Sequence, residues 1–157
     1  MDNIIKNNYI AYFFHYSLII VGMLVIYCFG KSLIGSGLIF YFIATPVAIV
    51  AYILCGFKLL KQNSRYSVMS TVSVFVSLII ITCIFACIFD IKMLFVYISS
   101  NIYFAGPINM MTGSDSVILL LISSTFPSLL MYLGIILKSK YEKKRNTKKK
   151  QILHFKI

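Results

Sequence analysis

Tryptophan is absent from this chain, and acidic residues nearly so. Four Asp and Glu stand against fifteen Lys and Arg in 157 residues. Charged residues make up 12% of the total, about half the ~25% usual in a soluble domain, while 60% are apolar and the mean hydropathy is +0.91. So few charges could not cover the apolar surface of a soluble domain of this size. A bilayer needs no such cover, because lipid solvates apolar side chains directly. Without tryptophan, the 13 Phe and 11 Tyr must supply any aromatic belt at the membrane interfaces. The four cysteines, Cys28, Cys55, Cys83 and Cys87, form no C-x-x-C pair and fall inside apolar runs. That excludes a disulfide framework built in loops and leaves reduced, small, packed side chains.

Four uncharged runs stand out: residues 7–30, 32–57, 66–89 and 116–137. Each supplies the ~20 residues that a helix needs to cross a hydrocarbon core of ~30 Å. Backbone in lipid must bond to itself, so each run is read as a helix. The first run is too long for a signal-peptide core and has no A-x-A-like site behind it, so it is expected to stay as an anchor. The expected spans are about 9–30, 34–57, 67–89 and 116–137, forming a transmembrane domain over residues 1–137, with a basic tail at 138–157.

A fifth stretch, MLFVYISSNIYFAGPINMMTGS at 93–114, is also uncharged. Its apolar part, Met93 to Ala105, is interrupted by Ser99, Ser100 and Asn101 and would reach only ~20 Å as a helix. Gly106-Pro107 is expected to break it, and NMMTGSDS to form a loop. Charge gives the same answer. With four crossings and both termini cytoplasmic, thirteen of the fifteen cations lie inside, and only Lys31 and Lys92 lie outside. A fifth crossing would export either the tail or the cluster Lys6, Lys58, Lys61 and Arg65, which fits the positive-inside rule worse. The expectation is an all-α integral membrane four-helix bundle. Its outer loop at 90–115 carries an interfacial or re-entrant segment.

Small and hydroxylated residues mark expected packing faces. In the second run they are Gly37, Ala44, Ala48, Ala51 and Cys55, spaced as in a heptad. Ser70, Ser73 and Ser77 share one face of the third run, and Ser124 and Ser128 one face of the fourth. These stripes suggest a left-handed bundle in which the second and third runs touch. Pro46 and Pro127 fall mid-span and free the carbonyls of Phe42 and Ser123. Such kinks are tolerated in transmembrane helices.

Catalytic chemistry finds little support. No Asp, Glu, Lys or Arg lies within a span, which counts against ion-coupled transport. Small multidrug exporters place an essential glutamate in the first of their four helices, and none stands here. His15 is the one histidine in the spans and has no acid at its depth, so its ring is expected to bond a backbone carbonyl or to lie near the inner interface. Cys83 and Cys87 share a helix face but lack further ligands for a metal. A nucleophile with an oriented base is missing. No enzyme activity, cofactor or metal is expected.

The tail, KSKYEKKRNTKKKQILHFKI, holds nine of the cations and one acid, Glu142. Lys143, Lys144, Arg145, Lys148, Lys149 and Lys150 are candidates for anionic lipid, worth ~1 kcal/mol for each cation near the surface. Ile152, Leu153 and Phe155 could add a weak apolar anchor. Composition favours a disordered tail whose cations only fix orientation. Nucleic acid is disfavoured, because no aromatic residues interleave the lysines for stacking.

The codon-biased use of Ile, Lys, Asn, Phe and Tyr hints at an A+T-rich bacterial genome. The expected protein is a multi-pass component of a cell membrane. It would act non-catalytically, as an accessory or immunity-type protein, through helix contacts with a larger membrane partner or with itself. Its outer segment would contribute Asn101, Gly106, Pro107, Asn109 and Asp115. A small transporter or pore lined by the serines, and a holin-like membrane-permeabilising protein, are the alternatives.

Overall fold

The computed structural model describes residues 2–33, 37–61, 68–88, 101–112 and 117–154. Among them the chain is helical and has no strand. The elements are α1 (Asp2–Leu33), α2 (Gly37–Leu54) continued by a π-turn (Cys55–Leu59), a 3₁₀ turn (Val68–Ser70), α3 (Val72–Ile88), α4 (Ile102–Thr112) and α5 (Val117–His154). Three helices are long and apolar enough to cross a membrane, over Asn3–Cys28, Tyr41–Leu59 and Ile122–Thr147. At 17 residues, α3 measures about 25 Å.

The helices bury narrow stripes and expose broad apolar faces, as lipid solvation allows. On α1 the buried stripe is Asn7, Ala11, His15 and Ile19, spaced by four, while Tyr9, Phe13, Ile20, Leu24 and Tyr27 face outward. On α2 it is Ala48, Tyr52 and Cys55, and on α5 it is Ser124, Ser128, Met131 and Ile135. The α5 spacing of 4, 3 and 4 is the heptad seam of closely packed helices. Seam residues predicted on α2 are borne partly inward: Ala48 is buried, whereas Ala44 and Ala51 are half-buried. Gly37 opens α2, and its surroundings lie outside the described residues.

The tightest crossing lies between the π-turn and α5. A Cβ on Gly56 would run into the Met131 carbonyl, and one on Gly134 into the Ile53 carbonyl. Only hydrogen fits at either position. In the π-turn, Leu60 N–H bonds back to the Cys55 carbonyl at 3.3 Å, five residues earlier, and so rotates the end of α2 out of its helical register.

Four expectations need correction. Gly106-Pro107 does not end a helix; α4 runs through it to Thr112. Proline removes the N–H that would bond the Tyr103 carbonyl, and Thr45 Oγ1 on α2 donates to that carbonyl instead, at 2.9 Å. The tail is not disordered over its described part, since α5 continues unbroken from the apolar run to His154. Lys, Arg, Gln and Glu are good helix formers, and a helix already nucleated in the membrane extends without a new nucleation step. Ser70 sits in the 3₁₀ turn rather than on α3. Finally, α3 packs chiefly on α1 and α5 rather than on α2, because Asn8 and Ser128 bond the segment where α3 begins.

Candidate functional site

The end of the bundle that carries the basic tail is held by α1. Asn7 pairs with the backbone of Lys61: its Nδ2 donates to the carbonyl at 2.7 Å, and its Oδ1 accepts from the N–H at 2.9 Å. Asn8 serves the next break in the chain. Its Nδ2 donates to the carbonyls of Ile4 (3.1 Å) and Met69 (2.6 Å), and its Oδ1 accepts from Ser73 N–H at 3.0 Å. That last bond caps the first turn of α3 from another helix. Ser73 Oγ returns a bond to the Asn8 carbonyl at 2.9 Å. Lys138 on α5 donates to the Leu60 carbonyl at 3.0 Å, a cation at a helix C-terminus. Two adjacent asparagines and one lysine thus fix both ends of the connection between α2 and α3.

Toward the opposite end, α4 is wedged into the bundle. Residues 101–106 are all buried. Asn101 is 1% exposed, and its Nδ2 donates to Ser123 Oγ at 3.1 Å. Tyr103 spans the bundle. Its hydroxyl donates to the Leu18 carbonyl on α1 at 2.8 Å, against the flat surface of Gly22, while its carbonyl receives Thr45 from α2. Phe104 stacks on Phe126 of α5, with ring centres 5.6 Å apart, and leans on Tyr52, 5.8 Å away. Gly106 lies under the Tyr41 ring. Ser123 precedes Lys138 by fifteen residues, so α4 starts about 22 Å from the tail end of the bundle.

His15 lies deeper, about 12 Å beyond Asn7 along α1. Its ring has a side-chain partner that the sequence did not suggest. Its Nδ1 shares a 2.8 Å hydrogen bond with the Tyr52 hydroxyl, and both residues are fully buried. Phe14 and Phe104 pack around Tyr52, so the pair occupies an aromatic box between α1, α2 and α4.

The serine stripes are engaged in holding helices. Ser77 Oγ donates to the Val74 carbonyl at 2.8 Å and accepts from Tyr16 at 3.2 Å. Ser128 Oγ donates to the Thr71 carbonyl at 2.7 Å. Ser70 and Ser124 are fully buried. Of the predicted outer-segment residues, Asn101 and Gly106 are buried inside the bundle and Pro107 is half-buried. Asn109 lies on α4, and Asp115 falls outside the described residues. Lys143, Lys144 and Arg145 are exposed on α5, and Lys148, Lys149 and Lys150 follow on the same helix. Among the described residues, no group of three or more His, Cys, Asp and Glu could hold a metal, and no donor reaches Asn101 Oδ1.

Reasoning from sequence missed Asn7, Asn8, Thr45, Tyr103, Gly56 and Gly134. The two asparagines were readable as polar residues placed just inside a run, where a backbone break on a neighbour needs partners. Nothing local marks Thr45 or Tyr103. Comparison with family models, curated proteins and solved structures finds no match for the chain.

Proposed function

We propose that the chain is a four-span protein of the cell membrane with both termini cytoplasmic and α4 re-entrant from the outer side. It acts without catalysis, as an accessory or immunity-type partner of a larger membrane protein. The observation that carries this reading is the seating of Tyr103. Its hydroxyl and its carbonyl are bonded to α1 and α2, so the outer segment closes the bundle from within instead of offering a ligand loop. Bonds between helices also engage Ser73, Ser77 and Ser128, which speaks against a serine-lined pore. The surfaces left for work are the lipid-facing helix flanks and the basic end of α5.

Co-purification from the native host in mild detergent tests the reading. A stoichiometric membrane partner is expected. A lone monomer, or a reporter after Ile157 that proves external, would refute it.

One observation favours a second reading, a small transporter. Asn101 places a buried acceptor beside the N-terminus of a half-helix, the kind of place where transporters hold solutes. Flux in reconstituted vesicles that Asn101→Leu abolishes would establish that reading over the first.

A further inference from the structure

The end of α5 is a rod. From Lys138 to Lys150 it carries eight cations against Glu142, leaving seven positive charges on one continuous helix. Residues 140–147 are all exposed. At 100° per residue the cations fall on every side of the helix, so the segment has no apolar face with which to lie flat on a membrane. The rod is also braced at its base. Lys138 is bonded to the Leu60 carbonyl, and Tyr141 packs edge-on against Phe57 with ring centres 6.1 Å apart. No proline or glycine follows Gly134 to bend it.

Distance then divides the cations into two groups. Lys140, Lys143 and Lys144 stand within about 9 Å of Lys138 along the axis, and Lys148, Lys149 and Lys150 about 15–18 Å away. The attraction of anionic headgroups fades within a Debye length of ~8 Å at physiological salt. With the headgroups at the level of Lys138, where the uncharged run ends, the proximal group reaches lipid and the distal group stands beyond it. Like charges also repel one turn apart, as at Lys140/Lys144, a repulsion that bound carboxylates would reverse.

We infer that the distal half of this rod, Arg145 to Lys150, is a docking surface for an acidic protein segment carried by the membrane partner. The inference rests on the accessory-protein reading above and names the chemistry of that partner. Cations four apart on a helix rise by about 6 Å, the spacing at which Glu residues repeat on a facing helix. Between Lys144 and Lys150 stand only Arg145, Asn146, Thr147, Lys148 and Lys149, with no aromatic ring to stack on a base. The membrane anchor holds the rod where cytoplasmic parts of other membrane proteins lie.

The test uses the full chain in nanodiscs, either neutral phosphatidylcholine or discs enriched in phosphatidylglycerol. The probes are a labelled oligoglutamate peptide and an RNA strand of equal charge, read by anisotropy at physiological salt. The peptide should bind in both discs and more tightly than the RNA. The triple change Lys148→Glu, Lys149→Glu and Lys150→Glu should weaken it at least about tenfold, and the triple glutamine variant, which keeps helix propensity, should fall between. Lys140→Glu should matter less. Three results would overturn the inference: an unchanged peptide affinity in the triple variant, tighter binding of the RNA, or loss of peptide binding whenever phosphatidylglycerol is present. Any of these would leave co-purification of a partner, and so the broader reading, standing or falling by itself.

Discussion

Replacing Gly134 by alanine probes the crossing of α2 and α5 at its closest point. Besides striking the Ile53 carbonyl, the new Cβ would lie 2.8 Å from the Phe57 nitrogen and 2.9 Å from the Gly56 Cα. All of these are backbone atoms, so no side-chain rotation gives relief and the helices must part. Nonbonded contacts relax at 3.5–4.0 Å, which requires a separation of roughly 1 Å. A gap of that size forfeits a quarter to a half of each contact along the seam. Overpacking of this kind costs ~1–3 kcal/mol, and alanine returns ~0.5–1 kcal/mol over glycine in helix propensity. The net loss is about 0–2.5 kcal/mol, up to roughly seventyfold in the folding equilibrium.

Cys55 provides the readout. It adjoins the crossing and is 2% exposed. With Cys28, Cys83 and Cys87 replaced by serine, it is the sole thiol, and a maleimide dye in mild detergent reports how often the crossing opens. Gly134→Ala should speed labelling, by up to about seventyfold, and Gly56→Ala should do the same against the Met131 carbonyl. The double change should cost less than the sum, because the first substitution already moves the helices apart. The sign decides the matter. If Gly134→Ala slows labelling, helix propensity has won, the helices are not in backbone contact, and the reasoning fails.

Thr45→Val should cost ~0.5–1.5 kcal/mol in the native background and much less alongside Pro107→Ala, whose restored N–H can bond the Tyr103 carbonyl. Equal costs in both backgrounds, measured by Cys55 labelling, would show that Thr45 does not serve the proline gap. Asn8→Ala should release the first turn of α3, for about 1–2 kcal/mol, seen as faster hydrogen exchange at the Ser73 amide. Asn8→Asp should keep that amide protected while losing the bonds to Ile4 and Met69. Tyr103→Phe should loosen α4 from α1 by about 0.6–1.5 kcal/mol, with exchange rising in α4 but not at the Asn7 end of the bundle.

What could be read from the sequence follows from the solvent. Lipid forces helices on uncharged runs, so the starts of α2 and α5 were legible within a few residues, whereas α1 begins seven residues before its expected span and α5 runs seventeen residues past its own; all three are long and apolar enough to cross a membrane. The fate of the stretch around Gly106-Pro107 was not. Whether a proline ends a helix depends on whether something supplies its missing hydrogen bond, and here the donor is Thr45, 58 residues away. The crossing at Gly56 and Gly134 was hidden for a similar reason. Gly134 stands alone in its run and Gly56 has Tyr52 and Leu60 four residues to either side, so neither shows the paired spacing that marks a packing motif, and only the meeting of the two reveals the role. Burial of His15 fitted its place on the Asn7, Ala11 and Ile19 stripe, but its partner Tyr52 is an aromatic in a run full of apolar residues, where nothing distinguishes a core hydroxyl from a belt one.

Five polar side chains of this bundle share a common task. Asn7 and Lys138 bond the carbonyls of Lys61 and Leu60 where α2 ends, Asn8 and Ser128 those of Met69 and Thr71 where α3 begins, and Thr45 that of Tyr103 where Pro107 interrupts α4. Each donor sits where a neighbour's helix starts, ends or is interrupted, and an unmet carbonyl there is costly in lipid. In a solvent as apolar as the side chains themselves, the arrangement of helices rests on close packing, as at Gly56 and Gly134, and on hydrogen bonds between helices. Donors aimed at particular carbonyls fix the register, because any shift would leave the donor unmet. Interior polarity committed in this way holds the helices in one register, and among the described residues it leaves the apolar helix flanks and residues 140–147 of α5 as the exposed surfaces.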